Sequence, residues 1–145
     1  MPALAPYLPA LVFVAGLGQL ALVAASLAIP RVLRWGEDTA KLRPLTRQVF
    51  WTYAAYIWCI NLAFGLVSLR PAWLLDCSPL AGCVTGFITA YWTGRVLVQF
   101  FYFDRSGVPP GPHVRLAEVA LVGLFFYLSV VYAAALLFNL GVIGP

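Results

Sequence analysis

Hydrophobic residues along this chain fall into four long runs, separated by short stretches that hold most of its charged residues and many of its prolines. The runs cover about residues 8–29, 49–69, 79–103 and 116–140. A membrane core about 30 Å thick needs roughly 20 mostly apolar residues per helix, and each run is long enough. The pattern predicts an all-α integral membrane protein with four transmembrane helices in an up-down bundle, forming one domain over residues 1–145.

Residues that favour helix ends mark the borders of these runs. Pro30 follows the first run, and Arg70 and Pro71 follow the second. Ser78 and Pro79 begin the third run as a typical N-cap and first helical residue. The fourth run comes after a breaker of three prolines and a glycine over residues 109–112. These breakers define the number of elements better than their exact bounds.

The positive charges predict an orientation, because Lys and Arg are retained on the cytoplasmic side of a membrane. The loop over residues 30–48 carries Arg31, Arg34, Lys41, Arg43 and Arg47, and the loop over residues 104–115 carries Arg105 and Arg115. The segments before Leu8 and after Leu140 carry no charged side chain. We therefore expect both loops in the cytoplasm and both termini on the non-cytoplasmic side.

Composition agrees with this class of protein. The chain is 63% hydrophobic and 10% charged, whereas soluble domains are about 45–50% apolar and about 25% charged. The net charge of +4 is explained by the orienting loops, so we expect no nucleic-acid partner. Spans rich in leucine, alanine, glycine and proline, with arginine exceeding lysine, predict a bacterial cytoplasmic (inner) membrane.

Polar side chains inside the predicted spans are the main candidates for a site, because they usually face the interior of a helix bundle. Steps of three and four residues place Tyr91, Arg95, Gln99 and Tyr102 on one face of the third span. Antiparallel packing of the fourth span brings Glu118 towards the same depth. The predicted cluster consists of Arg95, Gln99, Tyr91, Tyr102, Glu118, Gln19 and Tyr132.

Three interpretations of Arg95 follow from this pattern. It orients its helix by snorkelling or by pairing with Glu118, it binds an anionic group, or it lies at an interface with another membrane subunit. A guanidinium suits a lipid phosphate, a carboxylate or a quinone carbonyl. A bound lipid or quinone is therefore a candidate ligand, and no other cofactor is predicted.

The cysteines and the histidine predict little redox or metal chemistry. Cys77 and Cys83 flank the start of the third span, and their spacing is not that of a C-x-x-C redox motif. They form either a structural disulfide or a pair of buried free thiols. The single histidine, His113, excludes a bis-histidine haem within the chain and argues against a metal site.

The chain shows no nucleophile, phosphate-binding or zinc-protease motif. We therefore expect a non-catalytic membrane subunit or scaffold that assembles with other membrane proteins or with itself, or that binds membrane lipids. The alternative is a lipid- or quinone-handling protein, with or without enzymatic activity, whose site surrounds Arg95. A second alternative is a channel or transport component, although no span carries a carboxylate at mid-membrane.

Overall fold

A computed structural model of the protein describes residues 4–102 and 111–143, and for residues 112–114 it describes the backbone only. All regular structure within these ranges is helical. A 3-10 turn at Ala5–Tyr7 leads into helices that we number α1 to α7. Their bounds are Leu8–Ser26 (α1), Ile29–Val32 (α2), Trp35–Ala40 (α3), Pro44–Ser68 (α4), Pro71–Leu74 (α5), Pro79–Phe101 (α6) and Pro112–Asn139 (α7).

Three helical stretches in the described residues are long and apolar enough to cross a membrane, namely Ala5–Val32, Pro44–Ser68 and Arg115–Asn139. This finding supports the predicted membrane class. Helix α6 has 23 residues and is long enough, but it is not among these three stretches. A fourth span at α6 therefore stays a prediction.

The region predicted as a loop over residues 30–48 contains more helix than expected. It holds α2, α3 and the beginning of α4. Pro30 and Pro44 each lie in the first turn of a helix, where the missing N–H and fixed φ of proline are tolerated. Helix α7 likewise begins at Pro112 instead of residue 116. The predicted third run ends at residue 103, which lies outside the described residues, as do residues 104–110 of the loop that follows it.

The four long helices pack as antiparallel neighbours. Helix α1 lies between α4 and α7, and α6 packs along the other side of α7. Small residues let α1 and α4 approach closely, because a Cβ added at Gly16 would lie 3.0 Å from the carbonyl oxygen of Gly65. We call the end where α1 begins and α4 ends the α5 end, and the opposite end the α3 end.

Candidate functional site

Each of the four long helices contributes one side chain to a single buried group in the interior of the bundle. The members are Gln19 from α1, Ser68 from α4, Trp92 from α6 and Tyr132 from α7, and none is more than 1% exposed. We call this group the buried hydrogen-bond chain.

Hydrogen bonds join its members in sequence. The indole Nε1 of Trp92 donates to Oε1 of Gln19 at 3.2 Å. The amide Nε2 of Gln19 donates to the hydroxyl of Tyr132 at 2.5 Å. The hydroxyls of Tyr132 and Ser68 are 2.5 Å apart, and Ser68 donates to the carbonyl oxygen of Phe64 at 2.7 Å.

The donor chemistry of these groups determines which atom donates in each bond of the buried hydrogen-bond chain. An indole N–H can only donate, so Gln19 must present its oxygen to Trp92 and its amide nitrogen to Tyr132. The single proton of Ser68 is used by the carbonyl of Phe64, and Tyr132 must therefore donate to Ser68. Because every proton points the same way, each bond strengthens the next. The buried hydrogen-bond chain links the four helices, and both of its hydroxyl protons are used within the protein and not for a substrate.

A second polar group lies around Arg95, towards the α3 end of the bundle. Its Nη1 donates to Oε1 of Gln99 at 3.2 Å, one turn along α6. The guanidinium carbon lies 4.8 Å from the ring centre of Phe125 on α7, in the geometry of a cation–π contact. Phe125 in turn stacks on Trp92 with ring centres 5.4 Å apart. This contact connects the surroundings of Arg95 to the buried hydrogen-bond chain.

Tyr91 joins α6 to α4. Its ring packs edge-on against Phe64 at 5.3 Å, and its hydroxyl accepts a hydrogen bond from Nδ2 of Asn61 at 3.2 Å. Asn61 also donates to the carbonyl oxygen of Ile57 at 3.0 Å. Among the described residues, Oδ1 of Asn61 is the one buried side-chain polar atom without a hydrogen-bond partner.

The structure divides the predicted cluster into separate parts. Gln19 and Tyr132 meet in the buried hydrogen-bond chain, whereas Tyr91, Arg95 and Gln99 lie together on α6. Tyr102 lies one residue beyond α6 and is 81% exposed, and Glu118 is partly buried on α7. The residues that the predicted set left out are Ser68, Trp92 and Asn61. Trp92 was missed because it lies next to Tyr91 and so falls off the stripe of three- and four-residue steps.

The connection between α5 and α6 is held by Asn139 at the end of α7. Its Oδ1 accepts from the backbone N–H of Cys77 at 3.1 Å, and its Nδ2 donates to the carbonyl of Leu74 at 2.8 Å. The N–H of Ser78 donates to the Asp76 carboxylate at 2.9 Å. Hydrogen bonds from Ser78 hold the pKa of Asp76 below its ordinary value.

Cys77 and Cys83 are exposed free thiols in this structure. The prediction that they are buried is therefore wrong, and the alternative of a disulfide between them stays a prediction. The reason is local, because Cys77 lies in the connection before α6, Cys83 lies in the first turns of that helix, and both line an open cavity. Within the described ranges no three metal-binding side chains come together.

Comparisons with protein families, with curated proteins and with solved structures find no match to this chain.

Proposed function

We propose that this protein is a non-catalytic membrane subunit that assembles with a second copy of itself through the exposed face of α4. The observation that carries this proposal is the uneven burial of the three apolar helices. In the most apolar stretch of α4 11% of residues are buried, against 28% and 33% for the stretches containing α1 and α7. Helix α4 thus leaves most of its surface for a partner.

The exposed face of α4 has the residue pattern of a helix–helix contact in a membrane. Ala55, Cys59 and Ala63 are all exposed and follow one another at steps of four residues. Small residues at this spacing let two helix backbones approach closely within lipid. Small residues also allow close helix packing inside the bundle, where Gly16 of α1 contacts Gly65 and Ser68 of α4.

The interior of the bundle supports a structural role. The buried hydrogen-bond chain uses its donors within the protein, so its polar residues hold helices together and do not face a substrate. A subunit of this kind needs a rigid bundle and one free face. The bundle provides the first through Gln19, Ser68, Trp92 and Tyr132, and α4 provides the second.

Cys59 gives a direct test, because it lies at the centre of the proposed contact. A Cys77→Ser/Cys83→Ser variant, with Cys59 as its only cysteine, is oxidised in membranes and separated without reductant. We expect a covalent dimer. The control carries Cys59→Ala and Leu17→Cys in the same background, because Leu17 is 48% exposed on α1 and lies as far from the α5 end of its helix as Cys59 does.

Equal cross-linking of the two variants would contradict the proposal, and so would a monomeric mass of the native protein in mild detergent. Ala55→Leu and Ala63→Leu extend the test, since a bulky side chain at either position keeps the helices apart. Both substitutions should abolish the dimer, and the helical circular dichroism of the monomer should stay unchanged.

The proposal includes a fourth span at α6 and both termini on the non-cytoplasmic side of a bacterial inner membrane. Three features support the span: the Ser78 cap, the length of 23 residues and packing along α7. Four spans place the N- and C-termini on the same side, whereas three spans place them on opposite sides. Reporters that are active on one side of the membrane, fused in turn to each terminus, distinguish the two arrangements. We expect both fusions to report the non-cytoplasmic side.

A second candidate function is retention of an anionic lipid or a quinone next to Arg95. It is favoured by a guanidinium placed within a long helix, one turn from Tyr91, whose hydroxyl accepts a hydrogen bond from Asn61 at 3.2 Å. Oδ1 of the same Asn61 has no hydrogen-bond partner. Arg95→Met should remove such a ligand from the purified protein, as measured by mass spectrometry of extracted lipids and quinones. Arg70→Met is the matched control, because Arg70 also lies over an aromatic ring, that of Trp73 at 5.9 Å. Equal ligand content in both variants would exclude this function.

A further inference from the structure

Two thiols share one cavity at the α5 end of the bundle. The cavity has a volume of about 370 Å³ and lies between the start of α6 and the end of α7. Cys77 and Cys83 both line it, together with Gly82 and Asn139. Both thiols are free and exposed, so neither is enclosed by the protein itself.

Gly82, which has no side chain and lies between the two cysteines in the sequence, lines the cavity. A hydrophobic residue directly before an N-cap often packs against the fourth residue of the helix. In α6 the N-cap is Ser78, so Cys77 is the residue before the cap and Gly82 is the fourth helical residue. A Cβ built on Gly82 would have only the Cβ of Asn139 within reach, at 4.0 Å. The position is therefore open, and Cys83 is the next residue along the helix.

Cys77 is held beside this opening by its backbone. Its φ is +58°, a left-handed conformation that is uncommon for a residue with a side chain. The N–H of Cys77 is fixed by Oδ1 of Asn139 at 3.1 Å, and Asn139 is itself anchored to Thr85 at 3.2 Å. These contacts keep one thiol at the cavity, while the α6 helix keeps the other.

We propose that Cys77 and Cys83 form a dithiol–disulfide pair that is oxidised by thiol–disulfide exchange. One thiolate attacks the disulfide of a small or protein oxidant, forms a mixed disulfide and displaces one thiol. The second thiolate then attacks the bonded cysteine sulfur and displaces the other thiol. The two cysteines lose two protons and two electrons, and the oxidant leaves as two thiols.

The oxidised pair ties the α5–α6 connection to the first turns of α6. A disulfide requires Cα atoms about 4.4–6.8 Å apart, and the absence of a side chain at Gly82 gives Cys77 room to approach. The predicted orientation places this end of the bundle on the non-cytoplasmic side, where disulfides persist.

The experiment uses the full-length Cys59→Ala protein in detergent, with glutathione disulfide as the oxidant. We expect both thiols to be lost together, and the intact mass to fall by two hydrogen atoms with no glutathione attached. Dithiothreitol should restore both thiols. A protein that stays reduced, carries two glutathiones or forms only intermolecular dimers would overturn the proposal.

Two matched variants show whether the thiols act as a pair. In the Cys59→Ala background, Cys83→Ser and Cys77→Ser each leave a single thiol without its partner. Each variant should then retain one glutathione, because no second thiolate releases it. If either variant releases glutathione as readily as the parent, the internal exchange step is wrong. Cys59 is absent throughout, so the result is independent of assembly through α4.

Discussion

The side-chain amide of Gln19 on α1 donates a hydrogen bond to the hydroxyl of Tyr132 on α7 at 2.5 Å, and both residues are fully buried. They are separated by 113 residues along the chain. An amide and a phenol both carry a large cost if buried without partners. Each residue satisfies the other, and the same phenol reaches Ser68 on α4. Tyr132 is therefore the point at which three helices are joined.

Tyr132→Phe should destabilise the protein. The substitution removes one oxygen and leaves Nε2 of Gln19 and Oγ of Ser68 each short of a buried partner. Unsatisfied buried groups cost about 1–3 kcal/mol, whereas hydrogen bonds measured between membrane helices average about 0.6 kcal/mol. We expect the free energy of unfolding to fall by about 1–2 kcal/mol, measured by reversible unfolding in mixed micelles. Tyr56→Phe is the control, because Tyr56 is 62% exposed, and equal effects in the two variants would contradict this role.

Gln19→Leu should be coupled to Tyr132→Phe. After Gln19→Leu the hydroxyl of Tyr132 has already lost one partner, so the second substitution removes less than it does from the native protein. Residues in one hydrogen-bond network show coupling of about 0.5–3 kcal/mol. The same unfolding measurement on the two single variants and the double variant gives this value.

The control for this coupling pairs Gln19→Leu with Asn139→Leu. The hydrogen-bond partners of Asn139 are Leu74, Thr85 and Cys77, none of which belongs to the buried hydrogen-bond chain. The two effects should therefore add. Coupling of similar size in both pairs would show that the buried hydrogen-bond chain does not couple Gln19 to Tyr132 more strongly than to an unconnected residue.

Local signals in the sequence predicted one helix boundary correctly and another incorrectly. The N-cap at Ser78 is confirmed, because its Oγ accepts a hydrogen bond from the N–H of Ala81 at 3.1 Å, and Pro79 begins α6. Pro30 was interpreted as the end of the first run, yet it lies inside the first turn of α2. A proline fits both places, since it disfavours a helix before it and starts one well.

Contacts between helices were harder to predict, because they depend on how each helix is rotated. The sequence pattern predicted that Gln19, Arg95 and Tyr132 belong to one polar cluster inside the spans. In the structure the hydroxyl of Tyr132 contacts Gln19 of α1 and Ser68 of α4. Gln19 therefore belongs to the buried hydrogen-bond chain and not to the group around Arg95. The depth of a side chain in a span follows from counting residues along the helix. Its partner on another helix depends on how the helices pack, for example on the close approach of Gly16 to Gly65.

Gly16→Ala should weaken the contact between α1 and α4. A Cβ at this position would lie 3.0 Å from the backbone oxygen of Gly65 and 3.0 Å from Cβ of Ser68. Backbone atoms cannot rotate away, so the helices must separate, and overpacking of this kind costs about 1–3 kcal/mol. Gly94→Ala is the matched control, because a Cβ there has no atom within 4 Å.

The two glycine substitutions should have different effects on the free energy of unfolding in the same measurement. Alanine is favoured over glycine in a helix by about 0.5–1 kcal/mol, so Gly94→Ala should be neutral or stabilising. Stabilisation by Gly16→Ala would show that α1 and α4 do not need this close approach.

Protonation of Asp76 should loosen the connection between α5 and α6. Its carboxylate accepts the N–H of Ser78, and hydrogen bonds from Ser78 lower the pKa of Asp76 from the ordinary value of 3.8. A lowered pKa in the folded state means that the ionised form stabilises the fold above pH 3.8, and that this contribution is lost as the pH falls through the lowered pKa. The amide resonance of Ser78, followed by NMR, should therefore titrate with a midpoint below pH 3.8. Asp76→Asn should abolish the transition and Asp38→Asn should leave it unchanged, whereas a midpoint at or above the ordinary value would show that the Ser78 contact does not stabilise the carboxylate.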